Sequence, residues 1–128
     1  MILYRPVGLA ELKLIAASGY KEFPPRLLEQ PIFYPVLNFE YAEQIARDWN
    51  TKADSFAGFV TRFDVDDAYV AKFDIKVGGG RTHEELWVPA GELAKFNSHI
   101  AAIEVVASYY GDRFVGELDP TTNLPVGM

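Results

Sequence analysis

The sequence predicts an α+β sandwich. Two observations favour this class over a parallel doubly wound sheet. Both strong helical patterns lie within the first 50 residues, and from residue 56 the apolar residues alternate as they do in strands. Helices and strands that are segregated in this way along a chain are typical of an α+β arrangement.

The N-terminal part predicts a strand, a helix and a loop. Residues 2–5 are apolar enough for a short strand, which Pro6 is expected to close. Apolar residues recur at helical spacing over 9–16, and Gly19 follows where a helix end favours a left-handed residue. Residues 23–30 contain two prolines and predict a loop.

The second helix is predicted over 39–50, after an irregular strand or edge segment over 32–37. Asn38 is a good N-cap, because its side chain can accept a hydrogen bond from the first turn. Tyr41, Ile45 and Trp49 are predicted to form the apolar stripe of this helix, flanked by Ala42 and Ala46.

The remaining chain predicts four strands separated by short helical segments and turns. The strands are expected over 59–65, 73–77 (half-buried), 83–88 and 103–106 (buried), with helical turns over 66–72 and 89–97. Residues 1–118 are predicted to form one domain, and residues 119–128 a polar C-terminal tail.

Composition and charge exclude several classes of protein. With 128 residues, 49% of them hydrophobic, the chain is long enough for one compact core and too short for two ordinary domains. It has no cysteine, which excludes disulfides and thiolate metal sites. No apolar run reaches the ~18 residues of a membrane span. The first residues lack a signal-peptide pattern, so a soluble, cytoplasmic protein without membrane contact is expected.

The net charge of −6 argues against broad binding to nucleic-acid backbone, which requires a basic surface. It leaves a nucleotide ligand open, because one or two arginines suffice to bind a diphosphate.

The strand over 83–88 contains the first candidate functional residues. Side chains two apart on a strand share a face and lie about 6.6 Å apart, so His83, Glu85 and Trp87 should line one face. A carboxylate there can bind a sugar hydroxyl and stabilise positive charge on an anomeric carbon. The alternative is that Glu84 and Glu85 are ordinary surface acids.

Other candidates are more isolated. Arg5 ends an apolar strand, where its guanidinium can bind a phosphate or carboxylate, although it can equally be a surface arginine. The spacing of His83 and His99 matches no zinc pattern, so no metal is expected. The glycine run 78–80 is not a phosphate-binding loop; it predicts a mobile loop before the site strand, or a hairpin turn.

Taken in order, these segments resemble the arginine-type mono-ADP-ribosyltransferases, the group of the cholera and pertussis toxin catalytic subunits. The resemblance rests first on Leu3-Tyr4-Arg5 followed by a helix, a glycine and Phe23-Pro24-Pro25-Arg26. It rests also on 33–38 followed by the alanine-rich helix, on 85–89, and on the closing strand 103–106. This resemblance covers about residues 2–110. The chain also looks like small bacterial proteins labelled ADP-ribosylation/crystallin J1.

The resemblance implies an ADP-ribosyltransferase-like two-sheet sandwich that binds NAD as a substrate in a cleft between its sheets. It places Arg5, Tyr4, Tyr34 and Asn38 at the NAD site. Arg5 would hold the phosphate or the adjoining ribose, and Tyr34 would pack on the nicotinamide. The catalytic roles would belong to Glu85, on the nicotinamide ribose, and to His83, which would position or deprotonate an acceptor of unknown identity. Residues 78–82 would form the loop that contacts the target.

Two differences from the family's pattern leave an alternative open. Pro35-Val36-Leu37 replaces the Ser-Thr-Ser segment whose hydroxyls support the glutamate, and His83 stands where the family has glutamate or glutamine. A non-catalytic ligand-binding or protein-interaction module of the same fold is therefore the second reading. A third is a small structural or oligomerising domain with an exposed aromatic surface. In the first two readings, Arg5 and Glu85 should face one crevice.

Overall fold

The computed structural model describes residues 1–77 and 83–128. The helices are α1 (Leu9–Ala17), α2 (Phe39–Asp48), α3 (Asp67–Val70) and α4 (Leu93–Asn97), with 3-10 turns at Asn50–Lys52 and Ala90–Glu92. The strands are β1 (Ile2–Gly8), β2 (Ile32–Phe33), β3 (Ala57–Val65), β4 (Asp74–Val77), β5 (Glu84–Pro89) and β6 (Ile100–Tyr110). The predicted α+β class, with two sheets and a few short helices, is confirmed.

The strands form two antiparallel sheets of three strands each. The first sheet has the order β1-β3-β6 and the second has the order β2-β5-β4. The main core is apolar and lies between them, with Phe63 from the first sheet and Leu86 and Val88 from the second among its buried residues. Burial of this core is the main source of stability.

The extended segment 35–37 joins the two sheets. Tyr4 and Val36 exchange both backbone hydrogen bonds, at N–O distances of 2.9 and 2.7 Å. On its other side Val36 forms a β-bridge with Glu85. Beside this bridge the Leu86 N–H donates to the Pro35 carbonyl at 2.8 Å. Two strand spacings of about 4.8 Å therefore separate the backbones of β1 and β5 here, about 10 Å in all. This junction brings together residues that are eighty positions apart in the chain.

The prediction that Pro6 closes the first strand is wrong, because β1 continues through Pro6 to Gly8. The backbone groups of Tyr4 point toward Val36, away from β3. Strand groups alternate in direction, so the nitrogen of Pro6, two residues on, also points away from β3. Its missing N–H therefore costs no bond of the ladder.

The apolar stripe predicted for α2 is wrong at Trp49, whereas Tyr41 is partly buried and packs with Ala42 and Ala46. The residues that α2 buries against the first sheet are Ala42 and Ala46, while Trp49 is 69% exposed. Alanine is small enough to let the helix lie very close to β3. At the closest point Gly58 faces the Ala46 carbonyl, and a Cβ built on Gly58 would lie 2.1 Å from that oxygen. The predicted Asn38 cap is confirmed, since its Oδ1 accepts from the Tyr41 N–H at 2.8 Å.

We expect Gly58→Ala to lower the free energy of unfolding by about 3 kcal/mol, at the upper end of the usual cost of overpacking. The new methyl group would meet backbone atoms, which cannot move aside as a flexible side chain can. Denaturant unfolding of the purified variant measures this. Gly91→Ala is the matched control: no atom lies within 4 Å of its added Cβ, so a change within about 0.5 kcal/mol is expected. Equal stability of the two variants would contradict the close approach of α2.

The structure differs from two predictions for the C-terminal half of the chain, those for strand β4 and for the segment 103–106. Leu93 and Phe96, in the helical turn predicted over 89–97, are buried. Strand β4 is exposed at all four residues rather than half-buried, because it lies at the edge of the second sheet. In β6, Ile103 is buried but Val106 is 40% exposed, so the segment 103–106 is not a fully buried strand.

The segment predicted as a tail folds back onto β6. Leu118 bridges to Pro125, and the Tyr110 hydroxyl donates to the Asn123 carbonyl at 2.6 Å. Leu124 and Met128 are partly buried against the main core. In the part of the chain that the structure describes, no helix is long and apolar enough to cross a bilayer.

Candidate functional site

A crevice of about 680 Å³ passes along the C-terminal half of β1 and the segment 35–37 that joins the two sheets. Its walls come from the start of α1, the proline-containing loop, α2 and β5. The described lining residues with charged or phenolic side chains are Arg5, Glu11, Arg26, Tyr34, Tyr41, Asp54 and Glu85. Arg5 and Glu85, the two residues expected to share a crevice, thus line the same one.

Glu85 is held at one end of the crevice by two hydrogen-bond donors. The Tyr41 hydroxyl donates to Oε2 at 3.1 Å, and the Trp87 indole N–H donates to Oε1 at 3.2 Å. Strand alternation explains the second bond, since Glu85 and Trp87 share the face opposite to buried Leu86 and Val88. The first bond reaches across from α2. Both carboxylate oxygens are therefore oriented by the protein before any ligand binds.

Tyr41 was not among the candidates, because its position in α2 predicted an apolar core residue. Burial, and secondly the hydrogen bond to Glu85, raise the pKa of its hydroxyl above the usual value of 10.0. The phenol therefore stays protonated at neutral pH and remains a donor. The available signal was its hydroxyl, since a tyrosine needs a hydrogen-bond partner when it is partly buried.

Aromatic rings surround this carboxylate. His83 stacks on Tyr41, with ring centroids 4.3 Å apart and planes 12° apart. Tyr34 lies edge-on to Trp87 at 6.0 Å, and both rings are partly exposed, by 41% and 38%. A planar ligand beside Glu85 would therefore meet ring faces and edges rather than charged groups.

Arg5 lies on the side of β1 that faces the core, and only 8% of it is exposed. Its Nε and Nη2 donate to the two carboxylate oxygens of Glu11 at 2.7 and 3.0 Å, and its guanidinium lies 4.7 Å above the Phe33 ring. This bidentate pair fixes the guanidinium plane and leaves only the remaining N–H groups for a ligand. Glu11 could not be predicted as its partner, because the pair depends on how α1 turns back onto β1.

Tyr4 and Asn38, predicted to bind the ligand, lie beside the crevice in packing and capping positions. Tyr4 packs edge-on against Phe39 at 6.0 Å, within the small cluster between α2 and the first sheet. Asn38 caps α2 through the bond described above. The predicted target-contacting loop, residues 78–82, lies outside the described residues. Among the described residues no group of three or more His, Asp or Glu side chains is arranged to hold a metal ion.

Fold and site together define an α+β domain whose crevice is lined by three carboxylates, two guanidinium groups and the rings of Tyr34 and Tyr41. Comparison of the chain with protein-family models, with curated proteins and with solved structures gives no match.

Proposed function

We propose that this protein is an ADP-ribosyltransferase-like enzyme. It binds NAD in the crevice, cleaves the bond between nicotinamide and ribose, and transfers ADP-ribose to an acceptor. The proposal combines the sequence resemblance with the arrangement of the site.

One observation carries the proposal. Glu85 lines the same crevice as the rings of Tyr34 and Tyr41 and the guanidinium groups of Arg5 and Arg26, and both its oxygens accept hydrogen bonds. A carboxylate fixed in this way can accept a hydrogen bond from a ribose hydroxyl and face the positive charge that develops on the anomeric carbon. Such preorganised electrostatic stabilisation is usually the largest single contribution to catalysis.

Tyr41 and Trp87 supply the support that the missing Ser-Thr-Ser hydroxyls give in the family the sequence resembles. Their donors come from α2 and from β5 itself, rather than from the segment 35–37. The loss of those hydroxyls therefore does not by itself argue against chemistry at Glu85.

In the proposed reaction the bond between the anomeric carbon and the nicotinamide nitrogen breaks, and its electron pair neutralises the pyridinium. An acceptor oxygen or nitrogen then bonds to the anomeric carbon and loses a proton. His83, which stacks on Tyr41 beside Glu85, would receive that proton, since histidine is the side chain that most often serves as a general base. Tyr34 would pack against the nicotinamide ring.

A non-catalytic binding module is the second candidate, and the Arg5–Glu11 pair favours it. Glu11 occupies two donors of the arginine that the sequence predicts as the phosphate ligand. Two measurements separate the candidates. Calorimetric titration with NAD tests binding, and chromatographic detection of free nicotinamide tests cleavage. Binding with cleavage supports the enzyme, and binding without cleavage supports a ligand-binding module. Absence of binding contradicts both of these and leaves only a protein-interaction module.

We expect Tyr41→Phe to slow nicotinamide release about tenfold and to leave NAD affinity nearly unchanged. A hydrogen bond to a charged group contributes about 1.5–3 kcal/mol, and this one orients Glu85 rather than holding the ligand. Tyr69→Phe is the matched control, because its hydroxyl donates to Glu92 at 3.0 Å outside the crevice. Equal rates in the two variants would show that the Tyr41 bond has no part in the reaction.

A further inference from the structure

The proline-containing loop places Arg26 in the wall of the crevice, near the ion pair of Arg5 and Glu11. No hydrogen-bond acceptor among the described residues contacts its buried Nε atom. A buried polar atom without a partner costs free energy, and exceptions in folded proteins call for an explanation. A ligand that supplies acceptor oxygens is such an explanation.

The charges around Arg26 indicate which kind of ligand this is. Burial, and secondly the Arg5 charge, lower the pKa of Arg26, and Glu11 is the nearby carboxylate that opposes them. Two guanidinium groups thus share one carboxylate, and Glu11 is already bound to Arg5 in bidentate fashion. Arg5, Arg26 and Glu11 together carry a charge of +1, while Glu85 and Asp54 bring the whole crevice lining to −1. An anion is therefore attracted at Arg26 rather than along the whole crevice.

We propose that Arg26 is the principal phosphate ligand of this crevice, with the remaining N–H groups of Arg5 as its partner, and that the site takes a diphosphate. The inference rests on the proposed function, because the diphosphate of NAD is the group it assigns to Arg26. It differs from the expectation that Arg5 alone holds the phosphate.

The planar guanidinium of Arg26 can offer parallel N–H donors to two phosphate oxygens, and a single ammonium cannot. The loop that carries it begins after Phe23, which is tied to Asn97 by two bonds of 3.0 Å through its backbone N–H and carbonyl. The start of the loop is therefore anchored to the helix α4, which limits how far Arg26 can move away from the crevice.

The test is calorimetric titration of the full chain with NAD and, separately, with inorganic pyrophosphate. Arg26→Gln should weaken binding of both ligands about 10- to 100-fold, as expected for loss of hydrogen bonds to a charged group. Arg26→Lys keeps the positive charge but not the parallel N–H donors of the guanidinium, so it should lose less binding affinity than Arg26→Gln. Arg47→Gln is the charge-matched control, because Arg47 is paired with Asp48 on the exposed face of α2. This variant should bind both ligands like the wild type.

The outcomes separate this inference from the proposed function. Unchanged NAD affinity in Arg26→Gln would overturn the phosphate role of Arg26 and leave NAD binding intact. The wild type could bind pyrophosphate but not NAD, and Arg26→Gln could lose the pyrophosphate binding. This result would support the anion site and contradict the proposed function. If the wild type binds neither ligand, the inference is overturned together with the proposed function.

Discussion

Replacing Glu85 by glutamine should slow nicotinamide release by about 10²–10³-fold, the usual cost of removing one preorganised stabilising group. Glutamine has the same shape but carries no negative charge to face the cationic transition state. It also presents only one acceptor oxygen, so the Tyr41 hydroxyl and the Trp87 N–H cannot both keep their bonds. NAD affinity should change little, because the lost interaction is strongest in the transition state.

Glu84→Gln is the matched control for this experiment. Glu84 is the adjacent residue of β5 and points to the opposite face. Glu84→Gln therefore changes the net charge by the same amount as Glu85→Gln without touching the crevice. Its rate of nicotinamide release should match that of the wild type. A Glu85→Gln variant that releases nicotinamide as fast as Glu84→Gln would remove Glu85 from the reaction.

Arg5→Lys should lower both the stability of the fold and its affinity for NAD. Lysine cannot reproduce the two bonds to Glu11, and the pair is largely buried, with side-chain exposures of 10% and 23%. We expect the free energy of unfolding to fall by about 2 kcal/mol, less than the full loss of a buried partner because the charge is kept. NAD affinity should fall about tenfold as the fixed guanidinium plane is lost.

Glu11→Gln separates these two effects. It breaks the same ion pair, so it should also destabilise the protein. The double variant Arg5→Lys/Glu11→Gln should lose less free energy of unfolding than the sum of the two single variants. Its effect on NAD should have the opposite sign: removing a carboxylate beside the two arginines should strengthen binding of a diphosphate. Weaker NAD binding in Glu11→Gln than in the wild type would contradict the placement of the phosphates.

Features that depend on neighbours in the chain could be predicted from the sequence. Strand periodicity placed Glu85 and Trp87 on one face of β5, and the structure buries Leu86 and Val88 on the other. The Asn38 cap needs only the first turn of α2. These rules describe local geometry. They hold whatever the rest of the molecule does.

Features that depend on how distant segments pack could not be predicted in the same way. The Tyr41–Glu85 bond requires α2 to lie against the first sheet, and that approach is set by alanine and Gly58 rather than by the large apolar residues of the helix. Likewise Pro6 is compatible with β1 only because its nitrogen points away from β3. Neither relation has a sequence spacing that would reveal it.

The central claim is that one crevice binds NAD between the carboxylate of Glu85 and the guanidinium groups further along. A crystal structure of the protein soaked with NAD tests this most directly. The nicotinamide ribose should lie within hydrogen-bonding distance of Glu85, and the diphosphate should contact Arg26. NAD bound elsewhere on the molecule, or bound here with its diphosphate beside Glu85, would contradict the claim.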